Sequence, residues 1–204
     1  MKELPNRQTI RLPGFNYSSP GFYFVTICSQ NRECLFGKIE NQKMILNDNG
    51  GIVKNNLDVL SQRFSILLDT FQIMPNHIHI IINIVGAGSS RPIQSGSSRP
   101  IQSGSSRPIQ PEQSRIKLGN IIAYFKYQST KKINDLIAKT ACIAGAKTAP
   151  LHNEMKFVKI FQRNFYEHII CNEKEYYAIK NYIENNPQNW GKDKENPNIV
   201  KIRP

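Results

Sequence analysis

Long apolar runs are missing from this chain. No stretch of its 204 residues approaches the roughly 20 apolar residues of a membrane-spanning helix. The opening Met1-Lys2-Glu3-Leu4-Pro5-Asn6-Arg7 also lacks the apolar centre of a signal peptide. The expectation is a cytoplasmic protein without a membrane segment. Cysteine is scarce: Cys28, Cys34, Cys142 and Cys171 fit neither a paired CxxC zinc site nor a dense disulfide framework. Free thiols in a reducing compartment are expected. Acidic residues are few, 15 against 27 Lys and Arg, and the net charge is +12. That balance favours a polyanionic partner, nucleic acid ahead of an anionic membrane surface. No Ser-His-Asp order, Walker loop or carboxylate cluster is legible.

What is present reads as one domain of 204 residues, long enough for a proper core. Residues 22–28 (Phe-Tyr-Phe-Val-Thr-Ile-Cys) are β-branched and aromatic, a strand signal. Two short apolar runs within 34–46 predict a hairpin whose polar loop spans Gly37 to Gln42. Asn47-Asp48-Asn49-Gly50-Gly51 predicts a turn, followed by a helix over 51–62 with Ile52, Val53, Leu57 and Leu60 on one face. Residues 65–74 and 77–84 read as adjacent strands joined by Pro75-Asn76. Helical periodicity covers 115–137. Residues 157–161 read as a short strand, and 173–186 as a helix capped by Asn172 and stopped by Pro187. The tail from 188 is polar and expected to be loose.

Two segments interrupt this order. Gly-Ser-Ser-Arg-Pro-Ile-Gln-Ser begins at Gly88 and Gly96, and returns at Gly104 with Pro111 in last place. Gly, Ser and Pro cannot build a core here, so 86–113 is expected to be a disordered low-complexity insertion. Ala-Lys-Thr-Ala recurs within 138–150, read as a second loop insertion.

The chemistry concentrates at Met74-Pro75-Asn76-His77-Ile78-His79. Residues two apart on a strand share a face, so His77 and His79 form a candidate pair of metal ligands. Far along the chain, Tyr182 and Asn186 stand at i and i+4 on one helix face. A tyrosine hydroxyl is a possible phosphorus nucleophile, and an asparagine offers a neutral oxygen to a metal. Tyr124 with Gln128 repeats that spacing and is a rival.

Together these strings resemble the REP-associated tyrosine transposases, in the single-tyrosine HUH (His-hydrophobic-His) family. Met74–His79 is similar to the HUH motif, and Tyr182-Ile183-Glu184-Asn185-Asn186-Pro187 resembles the nucleophile helix. Gln162–Ile170 resembles the segment before that helix, and Phe24–Cys28 with Asn31-Arg32 the first strand. The resemblance covers most of the chain outside the two repeat-bearing loops.

The resemblance implies an α+β fold, a ferredoxin-like antiparallel sheet with helices packed on it. It implies metal-dependent cleavage and rejoining of single-stranded or hairpin DNA through a 5′-phosphotyrosine on Tyr182. His77, His79 and Asn186 would hold the ion, which the family implies is Mg²⁺ or Mn²⁺; imidazoles alone would also suit zinc or nickel. By position it favours Tyr182 over Tyr124. Lys126, Arg163 and Arg115 are candidate DNA contacts. Tyr176 and Tyr177 are read as packing or groove-lining residues, His168 and His152 as structural or solvated, and Trp190 as a base-stacking or tail-anchoring residue. Monomer and homodimer are both compatible with the resemblance. The alternatives are a replication-initiator or relaxase-like HUH nickase, a catalytically silent nucleic-acid-binding protein on the same fold, and a metal-binding protein unrelated to DNA.

Overall fold

The computed structural model describes residues 16–85, 117–143, 157–193 and 195–197, without the side chains of 142 and 143. The segment 86–113 and most of 138–150 therefore lie outside the described residues. The strands are β1 (Gly21–Cys28), β2 (Gly37–Glu40), β3 (Lys43–Leu46), β4 (Ile66–Ile73), β5 (His77–Ile84) and β6 (Tyr166–Ile170). The helices are α1 (Asp48–Arg63), α2 (Leu118–Ile143) and α3 (Glu173–Glu184). No described helix is long and apolar enough to cross a membrane.

Four strands form one antiparallel sheet in the order β4-β5-β1-β6, and β2-β3 is a separate hairpin. With the hairpin set aside, the order is β-α-β-β-α-β, the ferredoxin-like arrangement. The α+β expectation holds.

Strand periodicity divides the work between the two faces of the sheet. Ile78, Ile80, Ile82 and Ile84 join Tyr23, Val25 and Ile27 in a core with Val53, Leu57 and Leu60 of α1 and Leu118, Ile121, Ile122 and Phe125 of α2. The alternate residues point the other way. Phe24 and His79 touch the Tyr182 ring of α3, and Phe22 meets Tyr176. The sheet is thus covered by α1 and α2 on one face and by α3 on the other. That second layer explains why β5 is an almost unbroken apolar run: it is buried on both faces.

Several local expectations are corrected. The hairpin loop is only Asn41-Gln42, both at positive φ (49° and 62°), as a two-residue loop between twisted strands requires. Gly37–Glu40, expected to be loop, is its first strand. The helix expected at 51 starts at Asp48, because the Asn47 side chain caps the Gly50 N–H at 3.0 Å. Gly50 is required there: a Cβ would run into the Phe36 carbonyl. Residues 138–141 continue α2, which extends to Ile143; their Ala, Lys and Thr suit a helix as well as a loop. Residues 157–161 form no strand, only a single bridge from Phe161 to Ser29. The fourth sheet strand is β6, a short edge segment whose Tyr-Glu-His-Ile-Ile lacks clean alternation.

One clamp sets the approach to β6. The Lys126 ammonium of α2 donates to the carbonyls of Gln162 (2.9 Å) and Asn164 (2.8 Å). Burial pushes it down to about 8. The unfolded chain keeps this proton to about pH 10.4, whereas the folded chain releases it near 8. Stability from this group therefore rises as the pH climbs from 8 to 10.4. Urea unfolding across that range should show a rise in the wild type that is reduced in Lys126→Met.

Candidate active site and metal centre

The turn between β4 and β5 is buried, which is unusual for a connection. Met74, Asn76 and His77 are each at most 1% exposed. Burial is possible because the polar groups of the turn are satisfied from neighbouring loops. Phe36 N–H donates to Pro75 O (3.0 Å), Ser29 N–H to Asn76 O (2.8 Å), and Met74 N–H to His77 O (2.8 Å). The loop after β1 therefore wraps the turn from which the two histidines start.

His77 and His79 converge as their spacing predicts. Their Nε2 atoms lie 3.0 Å apart. His77 Nδ1 faces Asn76 Oδ1 at 2.9 Å, and His79 Nδ1 faces Thr26 Oγ1 at 2.9 Å. Such outer contacts orient ligating imidazoles. A third group is Asp193, whose Oδ2 is 3.7 Å from His77 Nε2. His77, His79 and Asp193 are all buried, and their ligand atoms lie within 4.8 Å of one another.

The donor set fits a divalent ion. Asp193 Oδ2 and Asn186 Oδ1 are buried without a hydrogen-bond partner, which is costly unless something cationic or protic meets them. The two imidazole Nε2 atoms, 3.0 Å apart, are close enough to share one ion or a hydrogen bond. Two imidazoles and a carboxylate oxygen form a mixed donor set of the kind that several divalent metals suit.

Asp193 was not legible as a site residue, and two expectations change with it. The tail from 188 is not loose at this point: Trp190–Lys192 forms a 3-10 turn, and Trp190 lies 6.1 Å from the His77 ring. Asn196 donates to Trp190 O, and Arg32 pairs with Glu195 at 2.8 Å. Carboxylates do gather, since Asp193 and Glu195 come from this same turn. No periodicity marks an aspartate in Gly-Lys-Asp-Lys-Glu; only folding back of the chain reveals its use.

Tyr182 reaches the centre from α3. Asn172 caps the helix by accepting the Glu175 N–H at 2.9 Å. The Tyr182 hydroxyl lies 3.4 Å from His79 Nε2, and the ring stands edge-on to Phe24. It is 43% exposed, so one side remains accessible. Burial of its other side raises the hydroxyl above its ordinary value; the charges of Asp193 and Glu195 add to this, and a hydrogen bond from Asn186 opposes it. Neutralising the two carboxylates would ease loss of that proton. Phe24, Thr26, His79, Tyr182, Asn186 and Asp193 line one cleft of about 930 Å³.

The other sequence candidates fall elsewhere. Tyr124 packs against Phe64 (5.4 Å) with Arg63 over its ring, on the α1–α2 layer, so the rival nucleophile is not in the cleft. Tyr176 donates to Asp69 (2.8 Å), and Tyr177 is exposed. His168 pairs with Glu175 at 2.6 Å, joining β6 to α3. Arg163 is exposed between two cleft-lining residues, Gln162 and Asn164. The Lys126 ammonium is engaged by main-chain carbonyls. Arg115 and His152 lie outside the described residues. Trp190 anchors the tail on His77. The described cysteines, Cys28, Cys34 and Cys171, are free thiols.

No protein-family model matches the chain. An uncharacterized protein of Haemophilus influenzae is 39% identical over 193 residues, covering 92% of each chain. Among solved structures, a REP-associated tyrosine transposase bound to a REP hairpin is similar with a TM-score of 0.50. It is 18% identical, and the match covers 92% of this chain and 77% of that one. The chain therefore belongs to the family of the Haemophilus influenzae protein, and its fold is that of the REP-associated tyrosine transposases.

Proposed function

We propose that the protein is a transposase that cuts and rejoins single-stranded DNA through a tyrosine nucleophile. One observation carries the reading: the Tyr182 hydroxyl stands 3.4 Å from His79 in the cleft that also holds Asn186 and Asp193. The fold and the basic charge support the reading.

His77, His79 and Asn186 would hold a divalent ion, Mg²⁺ or Mn²⁺, with Asp193 as an additional oxygen donor. When bound, such an ion supplies Lewis acidity at a phosphoryl oxygen. Tyr182 Oη attacks the phosphorus and gives up its proton. The bond from phosphorus to the 3′-oxygen breaks, and that oxygen leaves and is protonated. The 5′-phosphate stays on Tyr182, which conserves the phosphodiester for rejoining when a 3′-hydroxyl attacks it. Phe24 holds the tyrosine ring edge-on. Arg163 and Arg115 contact phosphates on the approaching strand, and Lys126 shapes the approach by holding residues 162–164. The substrate class is hairpin or palindromic repeat DNA; the structural neighbour is bound to a REP hairpin.

Incubation with hairpin oligonucleotides and Mn²⁺ or Mg²⁺ should yield a covalent adduct on denaturing gels. Tyr182→Phe should abolish the adduct, whereas Tyr124→Phe should retain it. An adduct persisting in Tyr182→Phe would refute the nucleophile assignment, and binding without any adduct would indicate a silent binding module. Oligonucleotide affinity should also fall with salt. Arg163→Ala should flatten that log-log slope by about 0.7, the contribution of one phosphate on a single strand.

A further inference from the structure

The proposed chemistry leaves one polar residue of the histidine motif unused. Asn76 sits immediately before the histidine pair, is 1% exposed, and reaches two distant segments as well as the next residue, His77. Its side-chain amide donates to Arg32 O at 3.0 Å in the loop after β1. It donates again to Glu195 O at 2.7 Å in the C-terminal turn. Its side-chain oxygen faces His77 Nδ1 at 2.9 Å.

We propose that Asn76 is the positioning residue of the histidine pair: it fixes the tautomer of His77 while tying two loops to that ring. An amide nitrogen has two hydrogens, and both are taken by carbonyl oxygens. Flipping the amide would set its oxygen against those carbonyls, so the network fixes the assignment. Only Oδ1 remains for His77, and an amide oxygen cannot donate. His77 Nδ1 must therefore carry the hydrogen. The neutral ring then has its lone pair on Nε2, the atom directed at His79 and Asp193.

The choice of asparagine follows from the same count. An aspartate could accept from His77, but an ionised carboxylate would meet the Arg32 and Glu195 carbonyls without a proton to share. Alanine would lose all three contacts. The main chain adds a fourth tie, since Asn76 O accepts from Ser29 N–H at 2.8 Å. One side chain thus joins the loop after β1, the first histidine and the turn that bears Asp193.

The metal part of this inference rests on the proposed function; the tautomer does not. Long-range ¹H–¹⁵N correlation spectra of the unaltered protein should show a protonated, pyrrole-like Nδ1 and a pyridine-like Nε2 at His77. In Asn76→Ala, Mn²⁺ affinity measured by calorimetry should fall about 10–100-fold, the usual cost of losing an outer-sphere partner. Asn76→Asp restores the acceptor alone. It should recover the tautomer and most of the Mn²⁺ affinity, while hydrogen exchange at 193–196 becomes faster. A pyridine-like Nδ1 in the wild type would overturn the proposal. So would a folded Asn76→Ala protein with unchanged Mn²⁺ affinity. If Asn76→Ala does not fold, the wild-type spectrum and Asn76→Asp decide. A wild type that binds no Mn²⁺ would sink the metal reading of the site, and the spectrum would still decide the tautomer.

Discussion

The register of β5 is the constraint on which everything else depends. Ile78, Ile80 and Ile82 face the helices of the core, and the residues between them face α3. A shift of one residue would exchange the two sets, because side chains alternate along a strand. The histidines would then enter the apolar core, and isoleucines would line the cleft. Burying two unpaired imidazoles among aliphatic side chains is costly. The hydrophobic energy of β5 therefore fixes the side from which the site is built. Antiparallel pairing with β1 adds the detail, placing Thr26 opposite His79 and Cys28 opposite His77.

Around that strand the site closes by polar bookkeeping rather than by apolar packing. The turn before His77 is buried only because the loop after β1 supplies the N–H groups of Ser29 and Phe36. Arg32 in that loop sits at positive φ (58°), and its side chain pairs with Glu195. The C-terminal turn thereby places Asp193 beside His77. Three segments distant in sequence meet around Asn76 and His77, and removing any of them would leave buried polar atoms of the others unsatisfied.

Those segments explain which features were legible in the sequence. β1, β4 and β5 announce themselves by β-branched and aromatic runs, and α3 by its cap and its terminating proline. The histidine pair was legible because strand periodicity is local. Tyr182 and Asn186 were legible as a pair at helical spacing, although α3 ends at Glu184 and Asn186 stands in the turn just past it; their position opposite the histidines came from the resemblance, not from spacing. Asp193 was not legible. Its placement depends on Arg32, Asn76 and Trp190, contacts that span as many as 163 residues and leave no periodic trace. β6 was missed for a related reason: an edge strand paired on one side needs little hydrophobic patterning. Gly37–Glu40 was misread because its polar residues are tolerated on an exposed hairpin.

The ends of β5 and α2 bear on the octad tract between them. Ile84 pairs with Gly21, and Leu118 N–H bonds to Tyr17 O, so the end of β5 and the start of α2 both lie beside the start of β1. The histidines stand at the opposite end of β5, about 20 Å away at the usual rise per residue. Each octad corresponds to 24 nucleotides, so gain or loss of a unit by replication slippage keeps the reading frame. Gain or loss of a unit therefore changes the length of chain between two ends that both lie away from the histidines.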